Sequence, residues 1–152
     1  MRLWRICRQR HAAGGLSGEG PRLYGGRWNS PGVRVVYTST SLALAAVETF
    51  VNLEPNLRPD DLVSIECVVP DEIETQAVAV DTLPRTWNKA KDESLRGVGD
   101  TWVRVGKTLA LYVPSAAIRG EWDVLINPAN PEFKKIKLQE PKPFEFDLRM
   151  FR

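Results

Sequence analysis

Residues 25–32 place a cation, a large aromatic ring and an amide side by side in a loop rich in glycine and proline. These side chains belong to Arg27, Trp28 and Asn29. Glycine permits backbone angles and a close ligand approach that a Cβ would block. The guanidinium of Arg27 offers a planar fork of donors that suits phosphate or carboxylate. The segment therefore predicts an anion-binding loop. The alternative is a tight turn with a solvated arginine, in which Trp28 anchors the loop to the core.

A carboxylate, Glu48, interrupts an apolar segment, residues 42–53, whose pattern predicts a helix. At helical spacing Glu48 shares one side with Ser41, Ala45 and Asn52. One interpretation is a solvent-facing residue on an amphipathic helix. The other is that this side lines a cleft, where the carboxylate could stabilise positive charge developing on a substrate sugar or orient its hydroxyls.

Polar side chains also stand where predicted strands end. Tyr37 closes one strand and Ser39 follows it. Ser115 follows Pro114 directly after a second strand, and Asn127 follows a third. Each has a structural alternative: a core tyrosine with its hydroxyl at the edge, a cap, or a turn initiator. The functional hypothesis is that the tyrosine stacks on a ligand ring and that the serine faces a cleft.

The usual nucleotide-binding motifs are not matched. In residues 18–23, Leu23 stands where the dinucleotide fingerprint requires its third glycine, and a loop rather than a helix is predicted there. No Walker sequence is present. A Rossmann or P-loop site is therefore disfavoured.

Histidine and cysteine usage argues against three further kinds of site. His11 is the single histidine, and Cys7 and Cys67 have no metal-ligand spacing, so we predict no metal site and no disulfide framework. A Ser/His/Asp triad is unsupported for the same reason. His11 itself is predicted to be solvated.

Composition is typical of a soluble globular protein. The 152 residues are 43% hydrophobic and 26% charged, with a net charge of +2. This length predicts one domain, residues 1–152. The charge gives no global polycation for binding nucleic acid. Neither a signal peptide nor a membrane-spanning stretch is recognisable, so a cytoplasmic, reducing location is predicted.

Strands are predicted to outnumber helices and not to alternate with them, which favours an α+β fold with a mixed sheet. Residues 70–91 are mixed, and the tail at 133–149 is predicted to be extended. The predicted strands are residues 3–7, 33–37, 62–69, 108–113 and 123–126. The predicted helices are residues 42–53 and 92–105, the second interrupted by Gly97 and Gly99.

The ordered motifs together resemble the RES domain family, named for its arginine, glutamate and serine. The resemblance covers nearly the whole chain. The motifs that carry it are Ser17-Gly18-Glu19-Gly20, Gly25-Gly26-Arg27-Trp28-Asn29-Ser30-Pro31-Gly32, Val36-Tyr37-Thr38-Ser39, Ala45-Ala46-Val47-Glu48, Gly99-Asp100-Thr101-Trp102, Val113-Pro114-Ser115-Ala116, Leu125-Ile126-Asn127-Pro128 and Phe146-Asp147-Leu148-Arg149.

The resemblance implies a single domain similar to ADP-ribosyltransferases, acting as the toxin of a bacterial toxin–antitoxin pair. It implies NAD as the substrate, cleaved at the nicotinamide–ribose bond with water or inorganic phosphate as acceptor and no bound cofactor. By position, the family's catalytic residues fall on Arg27, Tyr37, Glu48 and Ser115. Asn127 matches a further cleft position, and Trp28, Asn29 and Ser39 belong to the same substrate-binding motifs. The implied partners are an Xre-like helix-turn-helix antitoxin and a second copy of the chain.

Two rival functions remain open at this point. The same pocket could transfer ADP-ribose to a specific protein. The chain could instead be a non-catalytic module that contacts nucleic acid through Arg2, Arg5, Arg8 and Arg10, although acidic residues elsewhere nearly cancel that charge.

Overall fold

A mixed sheet organises the molecule. The computed structural model describes residues 1–89 and 93–152. In these residues the sheet has eight strands in the order β4-β5-β6-β2-β1-β3-β7, with β8 also pairing β3. The strands are β1 (Arg2–Arg8), β2 (Val36–Ser39), β3 (Leu62–Val68), β4 (Thr75–Ala77), β5 (Ala110–Pro114), β6 (Trp122–Ile126), β7 (Lys137–Leu138) and β8 (Lys142–Pro143).

Antiparallel pairing dominates the sheet. β1 and β3 pair along their whole lengths, from Arg2 opposite Val68 to Arg8 opposite Leu62. β6 lies between β2 and β5 and is antiparallel to both. Only the β4–β5 pair, of those described, is parallel. The predicted α+β class is therefore confirmed, with helices flanking a mixed sheet.

Three α-helices are described: α1 (Glu19–Tyr24), α2 (Leu42–Val51) and α3 (Arg96–Val105). Ser41 caps α2, because its Oγ accepts a hydrogen bond of 3.0 Å from the Leu44 amide. α3 corresponds to the helix predicted over residues 92–105. The predicted start of that helix, at residue 92, lies outside the described residues. Short 3₁₀ turns complete the helical content.

The two faces of the sheet hold different cores. One face carries Leu3, Cys67, Val36 and Val124, which form one buried cluster. On the other face, α2 and the C-terminal tail cover β1 and β3. The loop at residues 25–35 and α3 cover β2, β5 and β6 on that same face. A cleft opens between these two coverings, and we call this side of the sheet the cleft face.

Several predicted elements differ from the structure. The loop predicted through residue 32 contains α1, in which Glu19 pairs with Arg22 one turn later. β2 begins at Val36 rather than at residue 33, because the Asn29 side chain binds the Val33 carbonyl and keeps it in the loop. β4 was not predicted, since its pairing with β5 joins segments far apart in sequence.

The predicted tail also needs correction. Residues 131–135 form a 3₁₀ turn that Asn130 caps, rather than extended chain, and only β7 and β8 are extended within 133–149. Among the described residues, no helix is both long enough and apolar enough to cross a membrane.

Candidate active site

The cleft between α2 and the loop has a volume of about 840 Å³, within the range of small-molecule and cofactor pockets. Its floor is the cleft face of β2, β5 and β6, and its two walls are α2 and the loop with α3. The lining includes Gly25, Gly26, Arg27, Trp28, Tyr37, Glu48, Asn52, Asn88, Glu93, Arg96, Val113, Ala117 and Asp123.

Glu48 and Ser115 meet at the base of this cleft. Glu48 lies on α2, and Ser115 follows β5, 67 residues away in sequence; the Ser115 Oγ donates to Glu48 Oε1 at 2.5 Å. Ser115 is 1% exposed, and its Oγ also accepts hydrogen bonds from the amides of Ala117 and Ile118. Because a hydroxyl has one proton, these two amides direct the proton of Ser115 to Glu48.

Asp123, which the sequence analysis did not select, joins the same group. It lies near the start of β6, directly opposite Ser39 of β2. The Ser39 Oγ donates to Asp123 Oδ1 at 2.6 Å. Burial, followed by a hydrogen bond with the Glu48 carboxyl, raises the pKa of Asp123 to about 8. Two serine–carboxyl pairs, Ser39–Asp123 and Ser115–Glu48, therefore lie where α2 meets the floor of the cleft.

Two arginines lie on the opposite wall. Arg27 Nη1 donates to the carbonyls of Trp87 and Lys89 at 2.8 and 2.9 Å. Arg96, on the first turn of α3, donates from Nε to the Gly26 carbonyl at 3.1 Å and pairs with Glu93 at 3.3 Å. Arg96 could not be selected from the sequence, because only the packing of α3 against the loop brings it beside Arg27. The cleft thus has a cationic wall facing a carboxyl pair.

Tyr37 supports the loop as well as lining the cleft. Its hydroxyl donates to Asn29 Oδ1 at 2.7 Å and accepts a bond from the Trp28 amide at 3.1 Å. A Cβ at Gly26 would lie 2.5 Å from this hydroxyl, so the loop can approach Tyr37 only with glycine at that position. Burial raises the pKa of Tyr37 to about 12, so its hydroxyl stays protonated as a donor.

The predicted role of Asn29 in ligand binding is not supported by its position. Asn29 is 0% exposed, and its amide donates to the carbonyls of Pro21 and Val33 at 2.9 Å each. Since its Oδ1 accepts from Tyr37, the side chain is committed to the loop framework. Trp28 is buried against α3 and β5, which agrees with the alternative role as an anchor, although it also reaches the cleft lining.

α3 holds the loop in place through two adjacent residues. A Cβ at Gly99 would lie 1.9 Å from the Trp28 carbonyl oxygen, so the glycine allows the helix and the loop to touch. Asp100 accepts from the amide and the hydroxyl of Ser30, at 2.9 and 2.6 Å. The Gly99-Asp100 motif therefore positions the wall that carries Arg27.

Ser39 and Asn127 differ from their predicted places in the cleft. Ser39 is buried and reaches the cleft only through Asp123. Asn127 follows the opposite end of β6 from Asp123, about 13 Å away at ordinary strand rise. There its Oδ1 accepts from the Ala129 amide, as expected for a turn-initiating asparagine. The structure does not bring Asn127 to the carboxyl pair.

This geometry suits a ligand that is anionic at one end and becomes cationic at the other. Guanidinium groups bind phosphates strongly. Preorganised carboxylates stabilise positive charge that develops in a transition state. Glu48, Arg27 and Tyr37, all predicted from sequence, line one cleft together with Asp123 and Arg96, and the predicted Ser115 is bonded to Glu48.

Comparison with known proteins gives a consistent family. The RES domain family matches residues 2–148. The "Prs ADP-ribosylating toxin" of a Sphingobium strain is 36% identical, over 98% of this chain and 96% of that protein. The "Toxin Res" proteins of Photorhabdus laumondii and Pseudomonas putida are 31% and 34% identical, over at least 98% of each chain.

A solved structure extends the comparison to the fold. The M. tuberculosis MbcT-MbcA toxin–antitoxin complex contains a chain that superposes on 99% of this one, and on 86% of its own length, with a TM-score of 0.66 at 17% identity. The family match along almost the whole chain and the relatives of the same length show that this protein belongs to the RES domain family of toxins.

Proposed function

We propose that this protein is the toxin of a toxin–antitoxin pair and degrades NAD by breaking its nicotinamide–ribose bond. The observation that carries the proposal is the cleft itself, in which Glu48 is bonded to Ser115 on the floor and faces the arginines of the loop wall. Its volume of about 840 Å³ and its separation of cationic and carboxyl groups suit a dinucleotide whose reacting end develops positive charge.

The bond that breaks requires no acid. The electron pair of the glycosidic bond leaves with the ring nitrogen of nicotinamide, so the leaving group departs neutral and the ribose carbon acquires oxocarbenium character. A carboxylate close to that carbon stabilises the transition state electrostatically. Glu48 performs this role and can accept hydrogen bonds from ribose hydroxyls, while the hydrogen bond from Ser115 fixes the direction of its carboxylate.

The other end of NAD is held by charge and by stacking. The pyrophosphate lies against the loop wall, where Arg27 has five donors and uses Nη1 for backbone carbonyls. Arg96 stands beside it on α3. The ring of Tyr37 offers a surface for nicotinamide or ribose at the base of the loop.

The acceptor that completes the reaction is water or inorganic phosphate, which forms the new bond at the ribose carbon. One observation favours a second candidate: the Sphingobium relative, 36% identical, is named an ADP-ribosylating toxin. In that case a protein side chain would take the ADP-ribose. Mass spectrometry of a reaction run with and without phosphate separates free ADP-ribose, its phosphate ester and a modified protein.

A toxin that consumes NAD must be restrained in its own cell, so we infer a neutralising antitoxin of the helix-turn-helix type. The toxin–antitoxin complex of the fold neighbour supports an antitoxin partner in general terms. Co-expression of this chain with the adjacent reading frame, followed by co-purification, tests the inference. Size-exclusion chromatography with light scattering of the free chain shows whether it also forms a dimer.

Two substitutions test the proposed reaction directly. Arg27→Ala removes the phosphate contact, and Glu48→Gln keeps the shape and the bond to Ser115 but removes the negative charge. Each should lower nicotinamide release from NAD by about 100- to 1,000-fold, the usual loss for one preorganised electrostatic contact. The exposed residues Arg104 and Glu54 supply matched controls, and Arg104→Ala and Glu54→Gln should retain wild-type rates. Full activity in both cleft variants would exclude this site.

A further inference from the structure

A second cavity lies beside the cleft and has no role in the proposed reaction. Its volume is about 430 Å³, within the range of small-molecule sites. One wall is formed by residues 80–88, and the other is the loop that joins β5 to β6. The side chains that decide its chemistry are Arg85, Trp87, Asn88, Arg119, Glu121 and Trp122.

Hydrogen bonds hold both walls of the second cavity in shape. In the β5–β6 loop, the Ser115 amide donates to the Glu121 carbonyl at 2.9 Å. In the facing wall, the Trp87 amide donates to the Pro84 carbonyl at 2.9 Å. The Trp87 carbonyl in turn accepts from Arg27 Nη1 at 2.8 Å. The cavity is therefore formed before any ligand binds.

Two indole rings give the second cavity planar apolar surface. Trp87 and Trp122 are both half-buried, and both line the cavity. Aromatic side chains of this kind provide stacking surfaces for nucleobases. A small oxyanion would use neither ring, so the lining indicates a ligand that contains a planar group.

Two arginines give the same cavity positive charge. Arg85 and Arg119 are exposed, and within the described part of the chain neither guanidinium forms an ion pair or a side-chain hydrogen bond. Neither pairs even with Glu121, although this carboxylate lines the same cavity. Elsewhere on the surface, Arg8 and Arg22 each pair with a carboxylate at 2.5 Å. The two free guanidinium groups are therefore available for phosphate, which they bind with charge-assisted hydrogen bonds.

We propose that this second cavity is a ligand site for a nucleoside phosphate, separate from the cleft that takes NAD. The base stacks on the tryptophans, and the phosphate pairs with Arg85 and Arg119. The Asn88 side chain has no hydrogen-bond partner among the residues that the structure describes. Its amide offers both donors and an acceptor to the edge of a base.

The second cavity adjoins the cleft. Asn88 lines both of them, and Ser115 lines the second cavity while its hydroxyl bonds to Glu48 of the cleft. The cleft already provides the cationic wall and the carboxylate that the proposed reaction requires. A nucleotide in the second cavity is therefore an additional ligand, and it lies next to the serine that orients Glu48.

Equilibrium dialysis with radiolabelled adenosine monophosphate tests the site without any turnover. The wild-type chain should bind this probe, and Arg85→Ala and Arg119→Ala should each bind it about 10-fold more weakly, as for a lost hydrogen bond between charged groups. Glu121→Gln is the matched control, because it removes the opposite charge from the same cavity and should keep or strengthen binding. Circular dichroism of each variant shows whether it is folded.

A second probe tests the planar part of the ligand. Ribose-5-phosphate carries the phosphate and the sugar but lacks the base, so it should bind at least about fivefold more weakly than adenosine monophosphate. Equal binding of the two probes would overturn the assignment to a nucleoside phosphate.

The slow variant Glu48→Gln separates the second cavity from the cleft. This variant should still bind adenosine monophosphate when NAD is present at a concentration that saturates the cleft. Displacement of the probe by NAD, or equal binding by wild type and Arg119→Ala, would overturn the proposal. Because no cleavage is measured, binding as predicted in a chain without activity on NAD would support the second site and reject the proposed function instead.

Discussion

Glu48 and Asp123 carry the same functional group, and their neighbours give them different tasks. Glu48 sits on a helix at the edge of the cleft with a serine donor, whereas Asp123 is set into the sheet floor beside Ser39. Glu48 could be selected from the sequence, because it is a carboxylate in an apolar helix. Asp123 could not, since it lies near the start of a short apolar strand and Glu48 is 75 positions away in sequence. The register of β2 against β6 places Asp123 opposite Ser39, and the packing of α2 over the sheet brings Glu48 to the same cleft.

The raised pKa of Asp123 has a thermodynamic consequence. Between the ordinary aspartate pKa of 3.8 and a folded-state pKa of about 8, the folded protein retains a proton that the unfolded chain has released. Stability therefore falls as pH rises through this window. Asp123→Asn removes the effect, so its thermal midpoint should exceed that of wild type at pH 8 and approach it near pH 4. An equal difference between the two proteins at both pH values would show that Asp123 does not hold the proton.

At the scale of elements, the loop that carries Arg27 is shaped by its contacts with α3 and Tyr37. Its glycines and its arginine predicted an anion-binding loop, but the sequence could not show which backbone atoms meet. Gly97 and Gly99 both suggested an interrupted helix. The structure shows a continuous helix in which Gly99 meets the Trp28 carbonyl and Gly97 has open space.

This difference gives a matched pair of substitutions. Gly99→Ala would place a Cβ 1.9 Å from a backbone oxygen, so it should destabilise the fold by about 1–3 kcal/mol and displace the Arg27 wall. Gly97→Ala, on the same helix, meets no atom within 4 Å and should stabilise by about 0.5–1 kcal/mol through helix propensity. Urea unfolding measures both changes. Equal effects would mean that the contact between loop and helix does not constrain the fold.

At the scale of the molecule, the C-terminal tail fixes the helix that carries Glu48. Phe146 packs edge-on against Phe50 of α2 at 5.5 Å and against Phe144 and Phe151 at 5.1 and 6.0 Å. The sequence predicted an α+β chain with an extended tail, and the fold class is confirmed. The sequence did not predict that the tail covers α2, because that packing depends on contacts almost 100 residues apart.

Truncation of the central ring tests this role. Phe146→Ala should destabilise the protein by about 3–5 kcal/mol, the usual loss for a buried phenylalanine. Leu148, two residues further, is 74% exposed, so Leu148→Ala should change stability by less than about 0.5 kcal/mol. Chemical denaturation compares them. A loss in Phe146→Ala no larger than in Leu148→Ala would show that the tail does not anchor α2.

The cleft on the sheet, with Arg27 and Arg96 on one wall, Glu48 with its bond to Ser115 on the other and Asp123 on the floor, is the basis of the proposed function. Its most direct test is the quantity of free nicotinamide released when the purified wild-type chain is incubated with an excess of NAD. We expect many molecules of nicotinamide per molecule of protein, together with loss of intact NAD. Recovery of all the NAD intact, from folded protein free of antitoxin and with phosphate present, would contradict it.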